Sequence, residues 1–146
     1  MTIAIAACSS EGSAAPSPTA SPAVTVSDAP TPTPTTPVLV PEGTAEDNLA
    51  VFTWVTETVW DSDDRVKGRA YIDALEDAGF DREDMEVTRD ESTVGNPAES
   101  IQFSVLWRDE CIVGQVGPST EKPTAVVLPE LPEGGCLVGQ TRPIDW

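Results

Sequence analysis

Apolar residues recur at helical spacing in the middle of the chain, where the pattern predicts two helices. Thr44 and Asp47 fit a capping box, in which a hydroxyl accepts the amide three residues later, so the first helix is predicted over about residues 46–60. Its apolar stripe consists of Leu49, Phe52, Val55 and Val59, with Trp54 and Trp60 beside it.

The second helix is predicted from Ser62 or Asp63 to about Ala78. Gly79 suits the left-handed position that ends a helix, and Phe80 can then fold back on the last turn. The residues expected to face the core are Val66, Ala70, Ala74, Leu75 and Ala78, flanked by Tyr71 and Ile72.

A two-residue period replaces the helical one after residue 84, which indicates strands. A short strand is predicted at residues 85–88, and the strongest one carries the alternating residues Ile101, Phe103, Val105 and Trp107. The chain is expected to turn at residues 109–110 and return over residues 111–116, with Trp107 opposite Ile112 and Phe103 opposite Val116. Two further short strands are predicted at residues 124–128 and 136–138.

Helices followed by strands favour an α+β fold, with two N-terminal helices packed on a small antiparallel sheet. The alternating face of residues 101–107 is the largest apolar surface on which the helix stripes can pack. This fold accounts for residues 46–146.

Residues 9–45 have a different composition, with eight prolines, many Ser, Thr and Ala, and no aromatic residue. Such a segment cannot bury enough apolar area to offset its ordering entropy. It is predicted to be a disordered stalk that precedes the folded domain. The net charge of −17 lies mostly in the domain, where 22 acids against eight bases leave −14. That charge disfavours nucleic-acid partners and electrostatic binding to anionic lipids.

Three cysteines divide between two roles. Cys8 follows an aliphatic residue and two alanines, which resembles the lipobox of bacterial lipoproteins. By that resemblance Cys8 is lipidated, and residues 1–8 are the remnant of a signal peptide that lacks a basic segment. Cys111 and Cys136 are expected to form a disulfide, as exported pairs do, closing a loop of about 26 residues and contributing roughly 3.5 kcal/mol.

Few catalytic constellations fit the sequence, because it contains no histidine and no phosphate-binding glycine loop. No catalytic, cofactor-binding or metal-binding residue is assigned. The acids at 61–64 resemble the start of a calcium loop, but the glycine and the distal glutamate are missing, which favours a helix linker and N-cap. Carboxylate pairs at 109–110 or at Glu130 and Glu133 leave a glycosidase-type cell-wall hydrolase as the alternative. The terminal Trp146 either docks on its own domain or is presented to a cell-wall sugar or protein partner.

Three segments (residues 68–80, 100–108 and 136–146) resemble a family of uncharacterised actinobacterial lipoproteins, and the similarity covers roughly residues 46–146. The family has no assigned activity, so the resemblance implies location and domain extent without a catalytic residue. The expectation is a protein lipid-anchored on the extracytoplasmic face of the cell membrane, displaying a non-enzymatic binding domain. Its partners would be the membrane, through the anchor, and a cell-wall or envelope component.

Overall fold

The computed structural model describes residues 35–146, which form two helices and a four-stranded antiparallel sheet. The helices are α1 (Ala45–Trp60) and α2 (Gly68–Asp77), and one 3-10 turn (Arg82–Asp84) leads into the sheet. The strands are β1 (Met85–Val87), β2 (Ile101–Trp107), β3 (Glu110–Val116) and β4 (Thr124–Pro129), side by side in chain order. The predicted α+β fold of two helices on an antiparallel sheet is confirmed. Cys8 and residues 9–34 of the predicted stalk lie outside the described residues.

Helix α1 begins with the predicted capping box. The Thr44 hydroxyl accepts the Asp47 amide at 3.1 Å, and the Asp47 carboxylate accepts the Thr44 amide at 2.8 Å. Phe52, Val55 and Val59 of the predicted stripe are buried, whereas Trp54 is 42% exposed. The capping box and the stripe together place one face of α1 against the sheet.

The chain just before α1 already belongs to the folded part, ahead of the predicted boundary at residue 46. Leu39 packs against the core, and Asn48 bonds to both the amide and the carbonyl of Val40 at 2.8 and 3.0 Å. The Trp107 indole also donates to the Gly43 carbonyl at 2.9 Å. These contacts tie residues 39–44 to both α1 and the sheet.

Helix α2 begins at Gly68, later than the predicted start at Ser62 or Asp63. Ser62 does not cap it, because its hydroxyl donates to the Val59 carbonyl at 2.7 Å, at the end of α1. Asp90 takes that role from a distant loop, since its Oδ1 accepts the Gly68 amide at 2.8 Å. The predicted N-cap was therefore wrong.

The later start changes which side chains of the second helix face the core. Tyr71, Ile72 and Leu75 are fully buried, whereas Val66, predicted to be in the core, is 43% exposed. The predicted end of the helix is confirmed. Gly79 has φ +106°, and the Phe80 amide donates to the Leu75 carbonyl at 3.1 Å, which places the Phe80 ring in the core.

Both helices cover one face of the sheet, here called the front face. Its centre is Phe103, whose ring stacks on Tyr71 and Phe52 with centroids 4.5 and 5.7 Å apart. Gly114 lies opposite Phe103 on β3, and a Cβ there would come within 2.4 Å of the ring. The predicted apolar alternation of β2 is confirmed, with Phe103 and its front-face neighbours buried.

The hairpin between β2 and β3 has a different register from the predicted one. Trp107 pairs with Glu110 and Val105 with Ile112, so the pairing is shifted by two residues. The turn consists of residues 108–109, where Arg108 adopts φ +63° without a glycine. Because side chains alternate every residue, a shift of two keeps the same residues on the front face.

The opposite face of the sheet, the back face, is held by the C-terminal tail (residues 130–146). The Cys111–Cys136 disulfide joins β3 to this tail, with the two Cα atoms 5.6 Å apart. The Glu86 carboxylate on β1 accepts the amides of Cys136 at 2.5 Å and Leu137 at 3.1 Å. The strand predicted at residues 136–138 was wrong, because the amides of this segment bond to a side chain instead of a strand.

Candidate functional site

An open polar groove lies between the loop after β1 and the C-terminal tail, with a volume of about 540 Å³. We call it the arginine groove. It is lined by Arg89, Asp90, Glu91, Ser92, Thr93, Gln140 and Arg142. Its walls therefore offer two guanidinium groups, two hydroxyls, an amide and two carboxylates.

The loop wall of the groove owes its shape to main-chain hydrogen bonds. The Ser92 amide donates to the Asn96 carbonyl at 2.8 Å, and the Ala98 amide donates to the Asp90 carbonyl at 2.8 Å. Gly95 occupies a left-handed conformation at the tip, with φ +79°. These bonds make a small closed loop of residues 90–98.

The tail wall is fixed to the free edge of β1. Thr141 forms a bridge with Thr88, and the Arg142 amide donates to the Val87 carbonyl at 2.9 Å. Gln140 and Arg142 thereby come next to Arg89, although about fifty positions separate them along the chain.

Arg142 connects the groove to the end of the chain. Its guanidinium donates to Asp90 Oδ2 at 3.2 Å and lies 4.8 Å from the centre of the Trp146 ring. The Nε atom of Arg142 is buried and has no hydrogen-bond partner among residues 35–146. Asp90 meanwhile caps α2 through its other oxygen. Asp90 thus orients Arg142 and the start of α2 together.

Trp146 docks on its own domain, which decides between the two alternatives left open by the sequence. Its indole N–H donates to Asp73 Oδ1 at 2.9 Å, and its carbonyl accepts from Arg82 at 3.1 Å. Arg69 and Arg82 also lie over the ring, 5.4 and 5.9 Å from its centre. We call Asp73, the two arginines and Trp146 the tryptophan clamp.

The arginines of the clamp shift the ionisation of two carboxyl groups, Asp73 within the clamp and Glu76 beside it. Partial burial alone would raise the pKa of Asp73. The hydrogen bonds from Trp146, Arg69 and Arg82 together lower it by more, so the pKa lies below its ordinary value. The hydrogen bond from Arg82 likewise lowers the pKa of Glu76. Both carboxylates therefore stay charged at neutral pH.

Tyr71 is a core residue whose pKa is strongly shifted, and its role is structural. Burial raises the pKa of its hydroxyl far above the ordinary value, and the hydroxyl donates to the Arg65 carbonyl at 2.8 Å. A phenol with such a pKa remains protonated and serves as a hydrogen-bond donor.

An apolar groove of about 310 Å³ lies between the two helices. The half-exposed Trp54 forms one side, and Ala74 and Ala78 of the second helix region form the other. It is lined mainly by apolar side chains, whereas the arginine groove offers the donors and acceptors that a polar ligand needs, so the arginine groove is the candidate site for a polar ligand.

The residues singled out from the sequence are dispersed over the structure. Cys111 and Cys136 are bonded to each other, and Cys8 lies outside the described residues. The acids at 61–64 form the link between the helices, where Asp64 pairs with Lys67 at 2.6 Å. Within residues 35–146 no group of three or more metal-ligating side chains is brought together, and no helix there is long and apolar enough to cross a bilayer.

Comparison with known proteins identifies one family. A model described as a domain of unknown function (DUF6993) matches residues 56–140, more than half of the chain. No curated protein and no solved structure matches the sequence. The matched segment includes the last five residues of α1, all of α2, the whole sheet, the disulfide and all of the arginine groove except Arg142.

Proposed function

The chain belongs to the DUF6993 family, and from this premise we propose that it is a lipid-anchored envelope protein whose domain binds a polar cell-wall ligand without turning it over. The arginine groove is the observation that carries the binding proposal. It combines two of the eight basic residues with only two acids, so this concave surface has no net charge in a domain whose net charge is −14.

The disulfide supports an extracytoplasmic location. Cys111 is completely buried and Cys136 is 7% exposed, so the pair is an integral part of the fold. Stable disulfides are rare in the reducing cytosol and common in exported proteins. The lipobox-like sequence before Cys8 supplies the anchor in this proposal.

The donors in the groove favour a ligand that carries both carboxylate and hydroxyl groups. Arg89 is exposed and has no ion-pair partner within residues 35–146, so its guanidinium is available to a carboxylate. Ser92, Thr93 and Gln140 add neutral groups of the kind that bind sugar hydroxyls. Glycan strands with acidic peptides, the material of a bacterial cell wall, combine these chemistries.

The alternative is a cell-wall hydrolase that uses carboxylates alone. Such an enzyme needs a general acid whose pKa is raised towards neutrality. The carboxyl groups with shifted pKa values here, Asp47, Asp73 and Glu76, are all shifted downwards by hydrogen bonds. Those three are therefore poor proton donors at neutral pH, and a hydrolase would have to use other carboxylates.

Sedimentation with purified cell-wall sacculi tests the binding proposal. Arg89→Ala should lower the affinity about tenfold, because a hydrogen bond to a charged group contributes roughly 1.5 kcal/mol. Arg65→Ala is the matched control, since Arg65 is also exposed but lies outside the groove. Equal affinities for the two variants would contradict the groove as the site. Release of soluble fragments from the sacculi would favour the hydrolase.

Labelling with a fatty-acid analogue tests the anchor. The protein expressed from its chromosomal reading frame in its own host should incorporate the label and enter the detergent phase. Cys8→Ala should lose both properties. Continued labelling of the substituted protein would show that the acyl chains are attached elsewhere.

A further inference from the structure

Strand β4 forms an open edge of the sheet with an uncharged, partly apolar surface. It pairs with β3 on one side, and no strand within residues 35–146 pairs on the other. Residues 124–129 include no charged side chain, and Val126 and Leu128 on the back face are each 46% exposed. Exposed edges of this kind are templates for the addition of another strand.

The orientation of the backbone groups along this edge follows from the pairing with β3. Pro129 lies opposite Glu110, and the Glu130 amide donates to the Asp109 carbonyl at 3.3 Å. Inward and outward groups alternate in an antiparallel ladder. Even-numbered residues therefore bond to β3, whereas Ala125 and Val127 direct their N–H and C=O groups outwards. Pro129 also faces outwards, where its missing N–H costs the sheet no hydrogen bond.

We propose that β4 is a self-association edge, on which a second copy of this chain adds its own β4 antiparallel, with Val126 on the two-fold axis. In this register Ala125 of each copy pairs with Val127 of the other, and four hydrogen bonds join the two sheets. The two Val126 side chains meet on the back face. The result is a continuous eight-stranded sheet in the dimer, counting the four strands of each copy.

Charge complementarity selects this occupant and this register. Lys122 and Glu130 lie four residues on either side of Val126, so each would face its opposite in the second copy. Glu130 continues the pairing of β4 through its amide, and Lys122 lies at a bend two residues before β4 begins, from which its long side chain would reach the second copy. The Glu130 carboxylate has one long contact, to the Gly135 amide at 3.4 Å. A shift of two residues in either direction would separate the charges.

The charge of the rest of the domain explains why the edge is suited to a second copy. Two domains of net charge −14 repel one another, and an uncharged strand bounded by one cation and one anion limits that repulsion at the contact. At physiological salt the repulsion between more distant charges is screened beyond about 8 Å.

Cysteine cross-linking tests the two-fold axis, using the full chain with Cys8→Ser to remove the unrelated thiol. Paired residues that are not hydrogen-bonded have Cα atoms about 4.5 Å apart, close enough for a disulfide. Val126→Cys should give a reducible dimer under mild oxidation, with the 126–126 link identified by peptide mapping. Thr124→Cys is the control, because its two copies would lie about 14 Å apart along the strands. Cross-linking of both variants to the same extent, or of neither, would overturn the proposal.

Charge exchange tests the register without a new thiol. Lys122→Glu and Glu130→Lys should each raise the dimer dissociation constant about fivefold in sedimentation equilibrium, as two exposed ion pairs become repulsive. The double variant should return to within about twofold of the native value. A native chain that stays monomeric at millimolar concentration, or a double variant weaker than both single ones, would overturn the proposal.

Discussion

The two faces of the sheet are held by different physical means. On the front face, Phe103 stacks between Phe52 and Tyr71, and the helices exclude water from a continuous apolar core. On the back face, a tail without regular structure is held by a disulfide and by the Glu86 carboxylate, and beyond that face its last residue, Trp146, is held by Asp73 and Arg82. The front face depends on many small contacts, whereas the back face depends on a few strong ones.

This difference has a functional consequence, because the tail forms one wall of the arginine groove. Gln140 and Arg142 reach the groove only while the tail crosses the edge of β1. The packed front face can therefore remain intact when the groove is opened. Substitutions on each face should separate stability from groove formation.

Truncation at the centre of the front face should have the largest effect. Phe103→Ala removes a completely buried ring and leaves a cavity between two other rings, which should lower the free energy of unfolding by about 4 kcal/mol. Urea unfolding followed by fluorescence measures this loss. A loss below about 1 kcal/mol would show that the rings do not form the centre of the core.

Removal of the disulfide should have the next largest effect. The bond closes a segment with a sequence separation of 25, for which the chain-entropy model gives about 3.5 kcal/mol. The Cys111→Ala, Cys136→Ala double variant, unfolded in urea beside the oxidised protein, provides the comparison. Unfolding midpoints that coincide would mean that the tail is held without the bond.

Local patterns were sufficient to predict most of the front face. The capping box of Thr44 and Asp47, the alternation around Phe103 and the left-handed Gly79 each act within a few residues. The two-residue register error arose at Arg108. This residue adopts a positive φ, which is uncommon for residues other than glycine, so the sequence did not predict the turn there. Because the shift was even, it left the predicted faces unchanged.

The other wrong predictions concern segments whose structure is determined by contacts between residues far apart in the sequence. Serine is a residue type that commonly caps helices, which is why Ser62 was predicted as an N-cap. The second helix is instead capped by Asp90, which lies 22 residues after Gly68. Residues 136–138 alternate like a strand, but their amides bond to Glu86. The groove was missed for the same reason, since Arg89 and Arg142 come together only in the fold. The terminal Trp146, for which docking on its own domain was one of the two predicted alternatives, was a local sign of that region.

Two glycines allow a matched test of the two faces with the same substitution. Gly114→Ala should cost about 1–3 kcal/mol, because its Cβ would lie 2.4 Å from the Phe103 ring. Gly139→Ala in the tail should be neutral or stabilising by up to about 1 kcal/mol, since its Cβ would meet only Thr88 at 3.6 Å. Thermal unfolding measures both. An equal cost for the two would contradict the proposed difference in packing between the faces.

The tryptophan clamp should contribute a small, pH-dependent part of the stability. The pKa of Asp73 is lowered in the folded protein, so its contribution is present above the unfolded value near 4 and is lost as the pH falls through the folded value. Because the side chain is 40% exposed, that contribution should be below about 1 kcal/mol. Asp73→Asn should therefore be less stable than the native protein at pH 6 and equal to it near pH 2. A difference that does not change with pH would exclude this ionisation as its cause.

Amide hydrogen exchange with and without a reductant tests most directly whether the tail is held independently of the front face. The informative tail amides are those of Cys136, Leu137 and Arg142, whose acceptors lie on β1, and the reference amides lie in β2. Reduction should lower the protection of the tail amides by a much larger factor than that of the β2 amides. Loss of protection by the same factor in both regions would show one cooperative unit and would contradict the account.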